Sequence, residues 1–269
     1  MSLTSRADSP SGRAVFKQWM RKPECRPGEP LRVPSCGGSP ALMGTAFDYA
    51  MRAGFEVLWP ERCESGPLIA ERAPLAQRSR EQARACEALL ERALQDLQTW
   101  EDAEALTRAQ ARACWDLALL EPIGRGVASV APDTWIGREP PPGWLEELQA
   151  LYAEITWDAF VPAERCLLNP GFGEGSLIVG GADADLVLDD LLIDIKTTKD
   201  LRLRLKDVRQ LVGYAILARA YGFNGGPPEP IERVGIYYSR SGELVVWELD
   251  DCVDAEGESA VLEELVRAR

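Results

Sequence analysis

From residue 182 to 198 the chain alternates and then runs apolar on both sides of Asp189 and Asp190 (ADADLVLDDLLIDIKTT), the pattern of a β-hairpin with a two-residue turn. That turn sets Leu188 opposite Leu191, Leu186 opposite Ile193 and Asp185 opposite Asp194. Side chains two apart share a strand face, so Asp183, Asp185, Asp194 and Lys196 are expected on one side. Leu186, Leu188, Leu191, Ile193 and Ile195 form the other, a buried aliphatic side. Elsewhere apolar positions recur at helical spacing. A helix over 41–58 groups Leu42, Phe47, Met51 and Phe55, and one over 204–221 groups Leu205, Val208, Leu211, Val212, Ala215 and Leu217. Residues 75–120 are rich in Ala, Leu, Glu and Arg and contain neither Gly nor Pro. They predict two amphipathic helices, roughly 77–98 and 101–120, packed as an antiparallel pair. Trp100 and Trp115 are expected to be core residues of this pair, with stacking on bases as the functional alternative. A further helix is predicted from 144 to about 160, and a first core strand over 161–168. Residues 176–179 read as the lead into the hairpin. A second hairpin, Arg233–Tyr238 and 243–249, turns around 239–242, and a short acidic helix closes the chain.

Breakers divide these elements. Residues 1–40 are rich in Ser, Pro, Gly and Arg, with one apolar patch at Val15, Phe16, Trp19 and Met20 that predicts a short helix. Residues 121–143 form a Gly/Pro-rich connector. NPGFGEG, at 169–175, lacks the Gly-Lys-Ser/Thr ending of a phosphate loop and reads as a turn before a strand. The organisation expected is an irregular segment at 1–40, a mainly helical part at 41–165 with an insertion at about 75–160, and a core at 166–269. Helix, strands, helix, strands in that order predict an α/β fold with a mixed sheet.

Composition narrows the chemistry. No apolar run approaches the length of a membrane span, and residues 1–15 lack the apolar stretch of a signal peptide, so a cytoplasmic location without membrane contact is expected. Seven scattered cysteines without a C-x-x-C pair read as reduced thiols. The chain has no His, which excludes His-dependent triads, His-ligated zinc and His general bases. The net charge of −13 opposes a nucleic-acid partner. Its distribution weakens that objection: between residues 196 and 219, Lys196, Lys199, Arg202, Arg204, Lys206, Arg209 and Arg219 face only Asp200 and Asp207.

Two carboxylates at opposed strand positions repel unless something positive lies between them. A divalent cation relieves that repulsion, and Mg²⁺ or Mn²⁺ favours carboxylates and water. The bland alternative is a hairpin whose polar face is simply solvated.

This hairpin resembles the PD-(D/E)XK nuclease superfamily, in which an Asp precedes a (D/E)-x-K strand. Asp194-Ile195-Lys196 matches the D-x-K element and Asp185 the upstream Asp, with Asp183 the weaker candidate. Gln210 and Tyr214 in QLVGY match the Q-x-x-x-Y signature of the RecB-like branch, which includes the RecB and AddB nuclease domains and the CRISPR-adaptation exonucleases. Gly44-Thr45-Ala46-Phe47-Asp48 resembles that branch's G-T-x-x-H segment, with Asp48 where a metal-binding His is usual. The resemblance implies a restriction-endonuclease-like core with a mixed central sheet flanked by helices, plus a helical insertion. It implies a Mg²⁺- or Mn²⁺-dependent, exonuclease-like deoxyribonuclease of DNA repair or antiviral defence. In that reading Asp48, Asp185, Asp194 and the carbonyl of Ile195 hold metal, with Asp183 or Glu164 as additional candidates, and Lys196, Gln210 and Tyr214 are catalytic. Lys199, Arg202, Arg204, Lys206 and Arg209 would contact DNA, single-stranded DNA included. Only Cys252 follows the D-x-K strand, so the iron–sulfur cluster of some RecB-like nucleases is not expected. Any unwinding would fall to a protein partner such as a helicase or defence-complex subunit. The alternative is a catalytically silent subunit of the same fold that binds DNA or scaffolds a complex.

Overall fold

The computed structural model describes residues 2–24, 27–126 and 137–267. Their centre is a six-stranded mixed sheet in sequential order: β1 (Cys63–Ser65), β2 (Cys166–Leu168), β3 (Leu186–Leu188), β4 (Leu191–Lys196), β5 (Arg233–Tyr238) and β6 (Glu243–Glu248). β1–β2 and β4–β5 pair parallel, and the other neighbours pair antiparallel. The hairpin register is the one its apolar pattern predicts, with Leu186 opposite Ile193 and Leu188 opposite Leu191. Asp189 makes the turn with φ of +54°. Its carboxylate accepts the backbone N–H groups of Ala163, Glu164 and Arg165 at 2.8–3.0 Å, and Arg233 grips Asp190 at 2.6 and 2.8 Å. The two turn acids are thereby satisfied as structure.

Helices cover both faces. Leu186, Leu188, Leu191 and Ile193 are buried with α3 (Pro40–Leu58), α5 (Arg108–Gly124) and α6 (Trp144–Ala153). Leu167, Val187, Leu192, Val234 and Ile236 are buried against α8 (Leu205–Tyr221), α10 (Ala255–Val266) and the N-terminal helices α1 (Leu3–Ala7) and α2 (Pro10–Trp19). Side chains on both faces are therefore apolar through Ile193, and the polar groups of β4 follow at its C-terminal end, with Asp194 still buried and Lys196 half-buried. α3 starts as its sequence dictates: the Ser39 hydroxyl accepts from Leu42 N–H and Pro40 supplies the first helical residue. α5 opens on a capping box between Thr107 and Gln110, worth about 1 kcal/mol. α4 (Arg80–Gln98) packs against α5, and Trp100 and Trp115 are buried, each donating its indole N–H to a backbone carbonyl.

Several predicted elements differ. The strand expected over 161–168 is confined to Cys166–Leu168, because Asp189 draws the N–H groups of 163–165 away from any ladder. The helix expected through residue 160 ends at Ala153, followed by a 3₁₀ turn at Trp157–Phe160. The lead into the hairpin is instead α7 (Glu174–Val179), bounded by Gly173 and Gly180, both at positive φ. Leu205, expected on the apolar side of α8, is 45% exposed in the helix's first turn. α9 (Leu249–Cys252) takes over where β6 was expected to continue to residue 249. β1 was not expected at all. No helix among the described residues is long and apolar enough to cross a membrane. Six of the seven cysteines are free thiols, and Cys25 lies outside the described residues.

Candidate metal centre at the open end of the hairpin

The polar side of the hairpin gathers where β4 runs past the end of β3 while still paired with β5, between α3 and α8. A Cβ placed on Gly44 would stand 3.9 Å from Cβ of Thr197, so α3 crosses the end of β4 in van der Waals contact. One turn later α3 delivers Asp48. Asn169, directly after β2, donates from Nδ2 to Asp48 Oδ2 at 3.0 Å. Asp185 sits just before β3, and its Oδ2 accepts the backbone N–H of Ile195 at 2.7 Å. On β4, Asp194 Oδ1 accepts from Lys196 Nζ at 3.0 Å, while Oδ2 stands 2.8 Å from the same ammonium without a directed hydrogen bond. From α8, Gln210 Nε2 donates to the Tyr214 hydroxyl at 3.3 Å. The i, i+4 spacing thus makes one polar unit on the face of α8 that looks towards Asp185 and Asp194.

Crowding shows in the protonation equilibria. Burial pushes the Asp185 carboxyl well above the ordinary range, and the neighbouring charges of Asp194 and Asp48 add to it. Asp48 rises to about 6, chiefly by burial; Glu121 raises it further, and Arg52, Asn169 and Arg125 oppose. Asp194 is also raised by burial, with Lys196 opposing and Asp207 adding. Burial disfavours the Lys196 ammonium, but Asp194 and Asp185 outweigh it and hold the group above the usual lysine range. Tyr214 is pushed up to about 12, by burial first and the Asp185 charge second.

The predicted residues divide into two sets. Asp48, Asp185, Asp194, Lys196, Gln210 and Tyr214 come together, and Ile195 joins them through its N–H rather than its carbonyl in this arrangement. Asp183 lies at the rim, bridged to Gly171 and paired with Arg125 at 3.2 Å. Glu164 is exposed at the opposite end of the hairpin, its N–H bound to Asp189 in the turn, and it does not reach the acids. The basic block is less free than its sequence suggests. Arg202 is held bidentately by Asp200, Arg204 by Asp207 at 2.8 Å, and Arg209 by Asp8. Lys199 and Lys206 are exposed.

Three residues outside the motifs belong to the site. Asn169 positions Asp48. Glu121, from the last turn of α5, and Arg125, which caps its C-terminus, bring one more acid and one cation to the site's edge. Asp48 Oδ1 and Asn169 Oδ1 are buried oxygens without a hydrogen-bond partner among the described residues, and Asp194 Oδ2 faces only the Lys196 ammonium; oxygens of this kind suit a hard cation. In the present side-chain arrangement, no three Cys, Asp or Glu residues among those described form a ready coordination group. Asp194 is turned to Lys196, and Asp185 to the Ile195 N–H.

No family model, curated protein or solved structure matches this chain.

Proposed function

We propose that the chain is a metal-dependent nuclease of the RecB-like PD-(D/E)XK type, hydrolysing phosphodiester bonds of DNA. The observation that carries the reading is the meeting of Asp48, Asp185 and Asp194 beside a lysine, with all three carboxyl groups raised by burial and Asp185 raised further by the charges of the other two. Acids kept in such company at a cost to stability have a use that a solvated strand face lacks. Asp48, Asp185 and Asp194 would hold Mg²⁺ or Mn²⁺, with the Ile195 carbonyl as a further oxygen. When bound, such an ion supplies a Lewis acid for the phosphate and lowers the pKa of a coordinated water.

The protein's own groups have separable roles. Lys196 stays protonated throughout the physiological range, so it acts as a fixed positive charge beside the developing phosphorane and not as a base. Tyr214, also protonated at neutral pH, and Gln210 form a paired set of donors and acceptors for positioning the strand or the attacking water. Lys199 and Lys206 are the exposed cations left to attract the backbone, and Arg202, Arg204 and Arg209 contribute less because each already has a carboxylate.

The silent-subunit alternative draws on one observation: no coordination group of three is preformed among the described residues. Incubation with Mn²⁺ and a panel of end-labelled linear and circular DNA, single- and double-stranded, with RNA for comparison, separates the two. Release of mononucleotides or short fragments from DNA, abolished by chelator, is expected. DNA binding without cleavage under every metal condition would favour the silent subunit, and neither binding nor cleavage would overturn the nuclease and the DNA-binding subunit alike, leaving the scaffold.

A further inference from the structure

The residue that caps the C-terminus of α5, Arg125, is a cation that the motifs do not account for. Arg125 Nε donates to Glu121 Oε1 at 2.9 Å, and its Nη1 lies 3.2 Å from Asp183 Oδ2. Its side chain is 44% exposed, and its charge reaches Asp48. The guanidinium therefore spans from the helical insertion to the strand entry, across the rim of the acidic site. Its setting differs from those of Arg202 and Arg209, and shares with Arg204 an Nε fixed by a largely buried carboxylate. Asp200 grips Arg202 through both Nε and Nη2, leaving that edge saturated, and Arg209 is only 11% exposed beside Asp8. Arg125 instead has its Nε fixed by a largely buried Glu121, which is 14% exposed, while its pairing with Asp183 is long, solvent-accessible and correspondingly weak. An arginine oriented from behind by one carboxylate, with its outer edge on an exposed one, is arranged to exchange that outer partner for a planar or tetrahedral anion.

Resting on the nuclease reading above, we propose that Arg125 is a substrate-binding residue supplied by the helical insertion: it leaves Asp183 and takes a backbone phosphate of the bound strand, with Glu121 as its positioning residue. Asp183 is then the resting partner of that arginine and not a metal ligand. The exchange also explains why an acidic chain keeps a cation at the mouth of an acidic site, where the phosphate most needs one.

The test compares Arg125→Ala, Arg125→Lys and Asp183→Asn for binding of a fluorescent oligonucleotide across a salt series, and for kcat and KM with Mn²⁺. Arg125→Ala is expected to raise Kd and KM by roughly tenfold and to reduce the steepness of the salt dependence by about one phosphate contact. Arg125→Lys should recover part of the affinity. Asp183→Asn should bind more tightly than the parent, because it frees the outer edge of the guanidinium. Equal weakening by Arg125→Ala and Asp183→Asn, together with equal losses of Tm, would overturn the proposal in favour of a structural latch. Unchanged Kd and salt slope in Arg125→Ala, with the parent still cleaving, would also overturn it and leave the nuclease reading standing. A parent that neither binds nor cleaves would remove both.

Discussion

Lys196 and Asp194, two residues apart on β4, form an ion pair of 2.8 Å in which the acid is 4% exposed and the lysine 21%. Removing the lysine leaves a buried carboxylate near Asp207 and Asp185 with its main counter-charge gone. Lys196→Ala is therefore expected to lose stability by about 2–4 kcal/mol in chelator, as well as losing cleavage by about a hundredfold or more. Lys196→Ala combined with Asp194→Asn should regain most of that stability but none of the activity. Urea unfolding with chelator present measures the first effect, and an unaltered midpoint in the single variant would contradict it.

The raised Asp48 carboxyl makes stability depend on pH in a predictable direction. A carboxyl easier to protonate in the folded than in the unfolded chain adds no penalty below the ordinary range near 3.8. The penalty grows as the pH climbs from about 4 towards about 6, and is complete above that. Asp48→Asn keeps an acceptor for Asn169 and removes the charge. In chelator it should exceed the parent by on the order of 1–3 kcal/mol at pH 7.5 and match it at pH 4. A stability difference that does not vary with pH would show that Asp48 does not titrate in this window.

A cation that relieves the repulsion should raise the melting temperature. At a hundred times its Kd, Mn²⁺ is expected to contribute about 2.7 kcal/mol, roughly 5 °C for a chain of this size. Asp185→Asn should abolish the shift, and Glu164→Gln, at the other end of the hairpin, should retain it. Equal shifts in the two variants would place the ion elsewhere.

A second buried pair is purely architectural. Arg240 and Glu147 are 2% and 3% exposed and bonded to each other, and they also hold the Val33 carbonyl and the Cys36 N–H. Arg240→Ala should cost about 3–5 kcal/mol by leaving Glu147 unpaired. It should also expose the segment around residues 33–36 to protease before the remainder of the fold opens. Protection of that segment equal to the parent's would show that the clasp is dispensable.

How far the sequence leads depends on whether a residue's partners are near it in the chain. The hairpin register follows from its period-two pattern, since a slip of one residue would put Leu186 and Ile193 on the wrong face. Gln210 and Tyr214 are legible for the same local reason. β1 is not: Cys63, Glu64 and Ser65 carry no alternation, and only their parallel partner Cys166–Leu168, about a hundred residues away, makes them a strand. α7 is concealed by its Leu-Ile-Val run, which reads as extended until Gly173 and Gly180 are seen to bound a helix of six residues. Within the site, Asp185, Asp194 and Lys196 announce themselves, whereas Glu121, Arg125 and Asn169 lie in no motif. Arg125 meets Asp183 across 58 positions, and Arg209 meets Asp8 across 201. Sequence-local charge counting overlooks such neutralisation.

The apolar side chains of the inserted helices and of one sheet face belong to a single continuous cluster, from Leu89 and Leu117 to Leu188 and Ile193. The inserted helices are consequently no hinged flap. Heating should melt the inserted helices and the strands together in one calorimetric peak, because the described residues of both share one core that neither can leave without exposing the other.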